Sequence, residues 1–129
     1  MKIFIGILLP LLLLCGCASA GGAYVTYRQI SATEAAAMMQ TESDYIILDV
    51  RRADEFAEKH IPGAINLPNE SIGAEEIPEL PKKDQLILVY CRSGNRSKQA
   101  AEKLVKLGYT NVVEFGGIID WKGETVSGN

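Results

Sequence analysis

The sequence has little positive charge, few cysteines and a single histidine. It contains 13 Lys and Arg residues against 16 Asp and Glu residues, so the formal net charge is −3. A chain with this balance gains little from neutralising phosphates, which excludes a nucleic-acid binder. One histidine and three cysteines do not supply metal ligands with the usual spacing, so the sequence predicts no metal site and no cofactor.

Long hydrophobic runs are also absent, except at the start of the chain. Ile3 to Leu14 are twelve residues without a charge. This run is too short to cross a hydrocarbon core of about 30 Å as a helix. Because it follows Met1 and Lys2, it is typical of the apolar region of a signal peptide.

The residues at the end of this run, LCGC at 14–17, resemble the lipobox of bacterial lipoproteins. The resemblance implies that residues 1–16 are removed and that Cys17 is acylated at the new N-terminus. Residues 17–23 then form a flexible tether. The lipid would hold the protein on a membrane of the cell envelope, at its periplasmic or extracytoplasmic face. The alternatives are a plain signal peptide cut after Ala18 or Ala20, and an uncleaved anchor.

Residues 24–126 are predicted to form one α/β domain. Two continuous apolar runs, at 45–50 and 85–90, are typical of strands covered by helices on both faces. Alternation of strands and helices predicts a mainly parallel central sheet flanked by helices. Shorter strands are predicted at 24–30, 64–66 and 112–115, and helices at 32–40 (with a capping box from Ser31 and Glu34), 53–59, 74–79, 97–107 and 118–122.

Residues 91–97, CRSGNRS, stand directly after an apolar strand and directly before an amphipathic helix. Ligands of open α/β sheets bind at this end of the strands. Gly94 and Asn95 are the residues best able to take positive φ, so the loop can turn its amides inward as an anion-binding nest. The N-terminus of the following helix adds its positive dipole end.

Cys91 is the predicted nucleophile. Amide donors and the charges of Arg92 and Arg96 favour its thiolate over its thiol. If Cys15 is removed with the leader and Cys17 is acylated, Cys91 is also the only free thiol. The alternative is a buried structural thiol, which two arginines close behind it disfavour.

The sequence here resembles the rhodanese family of sulfurtransferases, and four segments carry the resemblance in chain order. They are LDVR at 48–51 followed by Glu55 and Phe56, HIPGAINLP at 60–68, CRSGNRS at 91–97 and GGIIDW at 116–121. The resemblance implies a rhodanese-like domain in which Cys91 takes a sulfane sulfur from a donor such as thiosulfate. The resulting persulfide would pass the sulfur to a thiol, cyanide or an acceptor protein. Lys59 departs from the pattern, because the family more often has glycine there.

The resemblance also implies roles for individual residues. The substrate-binding loop comprises Arg92, Ser93, Gly94, Asn95, Arg96 and Ser97. The planar guanidinium of Arg92 is expected at the mouth, where it would attract an anionic donor. Asp49 and Arg51 are interpreted as support for the loop, with Asp49 a candidate partner of Arg96. His60 is interpreted as structural, because sulfur exchange by a thiolate needs no general base.

Two other functions fit part of the pattern. Cysteine phosphatases and arsenate reductases use a similar loop, but their arginine stands one position further from the cysteine than Arg96 stands from Cys91. A membrane-tethered persulfide carrier or binding module with little free turnover would have the same residues. The sequence does not separate that carrier from a free-standing enzyme, because the two differ only in the acceptor.

Overall fold

Five parallel strands form the centre of the protein. A computed structural model describes residues 26–129, and its single sheet has the order β1-β5-β4-β2-β3. Every neighbouring pair of strands is parallel, so the predicted parallel α/β fold flanked by helices is confirmed. The strands are β1 Arg28–Gln29, β2 Tyr45–Asp49, β3 Ile65–Asn66, β4 Leu86–Cys91 and β5 Val112–Gly117.

Three α-helices cover the two faces of the sheet: α1 Ala32–Thr41, α2 Ala53–Glu58 and α3 Asn95–Lys106. Helix α1 begins at the predicted capping box. The Glu34 amide donates to the Ser31 hydroxyl at 3.0 Å, and the Ser31 amide donates to the Glu34 carboxylate at 3.3 Å. Two amides at the helix start are thereby satisfied. Within residues 26–129, none of the helices is long and apolar enough to span a membrane.

The central strand β4 is buried on both faces, because its side chains alternate between two hydrophobic cores. All six of its residues are buried. Val89 and Cys91 pack in the core that also contains Ala100 and Leu104 of α3. The opposite core holds Leu86, Leu88 and Tyr90, with residues of α1 and α2. This double burial explains why the β4 segment is apolar throughout.

Several predicted elements differ from the structure. The helix predicted at 74–79 is absent, because Pro78 lacks an amide hydrogen and its ring blocks the preceding turn. A 3₁₀ helix at Asn69–Ser71 precedes that segment, and another at Ile118–Asp120 replaces the helix predicted at 118–122. The signal peptide, Cys17, the tether and the first two residues of the predicted first strand lie outside the described residues.

Candidate active site

Cys91 is the last residue of β4, in the middle of the sheet, and the next helix begins only four residues later at Asn95. Gly94 makes this short connection possible. It adopts φ +111°, a conformation that side-chain-bearing residues rarely take. The sequence predicts Asn95 as a second residue able to take positive φ, but within the described part of the chain no residue other than glycine has it. Asn95 instead starts α3.

The Cys91 sulfur forms hydrogen bonds with its own loop. The Gly94 amide donates to Sγ at 3.0 Å, and the Cys91 thiol donates to the Ser97 Oγ at 3.4 Å. Burial raises the pKa of the Cys91 thiol, but hydrogen bonding with the Ser97 side chain and with the loop amides outweighs burial and lowers this pKa below its ordinary value. The geometry therefore favours a thiolate.

Cys91 is only 1% exposed, so its surroundings decide what reaches it. Arg92 and Ser93, the next two residues, are exposed. Arg92 lines a cleft of about 360 Å³ beside the loop. The cleft carries charges of both signs and two isoleucines, and its lining comprises Arg51, Glu55, Glu58, Lys59, Arg92, Ile118 and Ile119.

Arg96 pairs with Glu55 of α2 rather than with Asp49, so the predicted partner of Arg96 was wrong. The two groups form a two-pronged ion pair, with Nη1–Oε1 at 2.6 Å and Nη2–Oε2 at 3.1 Å. The hydrogen bonds from Arg96 are the main reason that the pKa of Glu55 falls to about 2. This pair ties the start of α3 to α2.

Asp49 instead binds Arg51, two residues further along the chain. Arg51 donates to both carboxylate oxygens, with Nη2–Oδ2 at 2.7 Å, and to the Lys59 carbonyl at 2.6 Å. Asp49 is 0% exposed and Arg51 is 4% exposed. A buried charge needs a partner, and Arg51 is the partner of Asp49. The Asp49 carboxylate therefore does not pair with an arginine of the Cys91 loop.

His60 lies in the turn after α2. Its Nδ1 is 2.8 Å from the Phe56 carbonyl, and its ring stacks on the Phe56 ring at 3.7 Å. Its backbone pairs with Val126 near the C-terminus. These contacts belong to the fold and not to the Cys91 loop. Trp121 packs beside Phe115, with the ring centres 6.3 Å apart.

Two residues to which the sequence gives no role at the site contact the loop. Glu114 of β5 is 2% exposed and accepts hydrogen bonds from the Ser97 hydroxyl at 2.7 Å and the Gly116 amide at 2.6 Å. A charged residue inside an otherwise apolar strand was the available signal. Gly117 pairs with Cys91, and a Cβ atom there would lie 1.9 Å from the Arg92 carbonyl oxygen.

The chemistry of the site is that of one activated sulfur. Among residues 26–129, no group of three or more His, Cys, Asp or Glu side chains is arranged to hold a metal ion. The loop amides, the start of α3 and the exposed Arg92 together suit a small anion. The arrangement can therefore bind an anionic reagent next to a nucleophilic cysteine.

Comparison with known proteins identifies the family. The sequence model of the rhodanese-like domain matches residues 31–124. The chain belongs to the rhodanese-like domain family. The match extends from the start of α1 to beyond Trp121 and includes the Cys91 loop.

Named relatives agree with this rhodanese-like assignment. The chain is 37% identical to the thiosulfate sulfurtransferase PspE of Escherichia coli (strain K12) over 73 residues, which is 57% of this chain and 70% of that protein. It is 36% identical to the thiosulfate sulfurtransferase GlpE of Coxiella burnetii (strain RSA 493) over 97 residues, which is 74% of this chain and 88% of that protein. The solved structure described as rhodanese with anions from E. coli superposes with a TM-score of 0.60 at 34% identity, covering 65% of this chain and 99% of that one. The prediction that this rhodanese-like chain is a sulfurtransferase is confirmed.

Proposed function

We propose that this sulfurtransferase moves a sulfane sulfur from an anionic donor such as thiosulfate to a thiol, cyanide or an acceptor protein, through a persulfide on Cys91. The observation that carries the proposal is the hydrogen bond from the Gly94 amide to Cys91 Sγ, 3.0 Å long. It points a main-chain donor at the sulfur that would carry negative charge.

The reaction is two displacements at sulfur. In the first, the Cys91 thiolate attacks the outer sulfur of thiosulfate, so that a new S–S bond forms and sulfite leaves with the electron pair of the broken bond. In the second, the acceptor attacks the outer sulfur of the persulfide and the thiolate is regenerated. The persulfide is anionic, and donors that already point inward stabilise it without reorganising.

Arg92 is proposed to bind the anionic donor before the first displacement. It is exposed and lines the cleft beside the loop, whereas Arg51 and Arg96 are occupied by carboxylates. Among the described arginines that line the cleft or belong to the loop, Arg92 is therefore the one that is in no ion pair. The similar solved structure is described as rhodanese with anions, which supports the proposal that this chain also binds an anion.

The test measures thiocyanate formed by the full chain from thiosulfate and cyanide. We expect Cys91→Ser to abolish turnover, because an alcohol cannot form a persulfide. Cys15→Ser is the matched control and should keep full activity. Full activity in Cys91→Ser would contradict the proposal.

A second measurement separates enzyme from carrier. The intact mass after treatment with thiosulfate should increase by one sulfur atom in the wild type and not in Cys91→Ser. A gain of sulfur without turnover of cyanide or small thiols would instead identify a persulfide carrier that serves a specific partner.

We also propose that the protein is attached to a membrane of the cell envelope through a lipid on Cys17. The support is the apolar run followed by LCGC at 14–17. Acyl chains contribute about 0.8 kcal/mol for each buried CH₂ group, so acylation at this position would hold the domain at a lipid surface.

A further inference from the structure

The cleft beside the Cys91 loop is larger than a small inorganic anion needs. Its volume is about 360 Å³, which is within the range of pockets that hold small organic ligands, about 300–1,000 Å³. Arg92 lines this cleft and belongs to the loop. Thiosulfate bound at Arg92 would occupy part of the cleft, and it leaves as sulfite once Cys91 carries the sulfur. The whole cleft, with Arg92, is then available to the acceptor.

Two of the cations that line this cleft are in no ion pair. They are Arg92 and Lys59, and both side chains are exposed. Neither takes part in an ion pair formed within residues 26–129. The third cation of the lining, Arg51, is held by the buried Asp49. The cleft therefore presents two unpaired positive side chains to its ligand.

The negative charge in the cleft is smaller. Two carboxylates belong to its lining, Glu55 and Glu58. Glu55 is held by Arg96 at 2.6 Å. Glu58 is exposed, and no ion pair in the described part of the chain includes it. The unpaired groups of the cleft are therefore two cations and one carboxylate, which favours an anionic ligand.

The main chain holds Lys59 in place without its side chain. Its carbonyl accepts a hydrogen bond from Arg51 Nη2 at 2.6 Å, and its amide donates to the Glu55 carbonyl at 3.2 Å. Both contacts survive any substitution that keeps the backbone conformation. The ammonium group of Lys59 can therefore be changed without removing a contact of the fold.

The cleft also has an exposed apolar side chain. Ile119 is 63% exposed and lines the cleft. Its amide donates to the Arg92 carbonyl at 3.3 Å, which holds it against the Cys91 loop. A single exposed isoleucine is ordinary, but this one lies in the same cleft as two unpaired cations. A ligand that has both a hydrocarbon chain and a negative group would match these surfaces.

We propose that this cleft binds the sulfur acceptor, that the acceptor is a small thiol with a carboxylate on a short hydrocarbon chain, and that Lys59 selects for the carboxylate. The acceptor gives its thiol proton to water and attacks the outer sulfur of the Cys91 persulfide. A new S–S bond forms on the acceptor, and the bond to Cys91 breaks with its electron pair left on Cys91 Sγ. The step needs no other reagent. The inference rests on the proposed function, because it requires the persulfide.

The experiment measures the second displacement by itself. The full chain is treated with thiosulfate and freed of excess donor, and its gain of one sulfur atom is confirmed by intact mass. It is then mixed with mercaptopropionate or mercaptopropanol, which have a terminal thiol on chains of equal length and differ in the carboxylate or hydroxyl. Loss of the added mass with time gives a rate constant for each thiol. Cys91→Ser is the blank for sulfur bound at Cys15 or Cys17.

The decisive quantity is the ratio of the rate constant for mercaptopropionate to that for mercaptopropanol. We expect Lys59→Gln to lower this ratio about threefold and Lys59→Glu about tenfold, since exposed charge pairs have effects of this size. Glu58→Gln should raise the ratio about threefold, because it removes the opposing charge. A loss of folding would change both rate constants and not their ratio.

A neighbouring lysine supplies the matched control. Lys122 is exposed and lines the adjoining cleft that shares Ile119. Lys122→Gln makes the same change in net charge as Lys59→Gln and should keep the wild-type ratio. High salt should reduce the effects of Lys59→Gln and Glu58→Gln alike, because it screens exposed charges.

Three results would overturn the inference. An equal ratio in the wild type, Lys59→Gln and Lys59→Glu would show that the carboxylate does not bind at Lys59. An equal decrease in Lys122→Gln would show that only net charge matters. Loaded protein that reacts with neither thiol would show that the acceptor is of another class. A wild type that gains no sulfur would refute the proposed function itself, and this inference with it.

Discussion

Arg92 is the residue whose exposure matters most for substrate binding. It is exposed beside a cysteine that is 1% exposed, and no ion pair within residues 26–129 includes it. A charged group that is in no ion pair does not have to break one when the donor binds. Most of its interaction energy therefore contributes to binding the donor.

We expect Arg92→Ala to raise the KM for thiosulfate about tenfold, which corresponds to loss of about 1.4 kcal/mol of charge-assisted hydrogen bonding. The kcat should change less, because the guanidinium binds the donor in the ground state and in the transition state alike. Steady-state kinetics checks the split. Arg52→Ala, which removes an exposed arginine paired with Asp54, is the control, and an unchanged KM in Arg92→Ala would refute the binding role.

The pair of Arg96 and Glu55 makes stability depend on acid pH. The pKa of Glu55 is about 2 in the folded protein and 4.5 without the fold. The ionised pair therefore stabilises the protein fully above about pH 4.5, and this contribution is lost as the pH falls toward 2.

Glu55→Gln should lower the free energy of unfolding by about 1 kcal/mol at neutral pH, with a difference from wild type that disappears in acid. Urea unfolding at several pH values measures it. Glu58→Gln, on the same helix but exposed, should show neither effect. A difference that stays constant down to pH 2 would rule out the ion pair as its source.

At the residue scale, contiguity decides what the sequence could predict. The nucleophile and its amide loop occupy seven successive positions, so their chemistry is visible without the fold. Glu55 and Arg96 are 41 positions apart, and Ser97 and Glu114 are 17 apart. Only folding brings such pairs together, which is why the sequence predicts the wrong partner for Arg96 and does not indicate Glu114.

At the scale of elements, the end of β5 determines the shape of the Cys91 loop. Gly117 pairs with Cys91, and the main chain of Arg92 passes where a Cβ atom of residue 117 would stand, 1.9 Å from the carbonyl oxygen. Both strands must therefore separate if residue 117 acquires a side chain.

Gly117→Ala should lower the free energy of unfolding by about 1–3 kcal/mol, the usual cost of forcing atoms into occupied space, and should reduce sulfur transfer as the loop shifts. Urea unfolding and the thiocyanate assay report the two effects. Gly73→Ala is the control, since a Cβ atom there meets nothing within 4 Å. Equal stability of the two variants would mean that the strands separate without cost.

Elements with a strong hydrophobic pattern were predicted well, and irregular ones were not. The strands β2 and β4 appear within one residue of their predicted limits, because burial on both faces leaves a continuous apolar run. Helix α3 starts two residues earlier than predicted, at Asn95. There Gly94 reverses the chain with its positive φ, and hydrophobic periodicity does not report the conformation of a glycine.

At the scale of the molecule, alternation of strands and helices predicted parallel pairing but not the order of the strands. The order places β4 between β5 and β2. This arrangement results from pairings between segments distant in the chain, such as Val89 with Glu114 and Leu48 with Val89. Local sequence patterns carry no information on which strands become neighbours.

The proposed attachment to a membrane concerns the whole protein and is tested in cells. Labelled palmitate should be incorporated into the wild-type protein and not into Cys17→Ala, because the lipid would be carried by that sulfur. Cys15→Ala should still be labelled, since the residue would be removed with the leader. Label that persists in Cys17→Ala would favour a plain signal peptide.

The two outermost strands, β1 and β3, contain only two residues each. Such short edge strands offer too few main-chain donors and acceptors for a further strand from another molecule to pair with them. Copies at high local concentration should for this reason resist polymerising into extended β-structure.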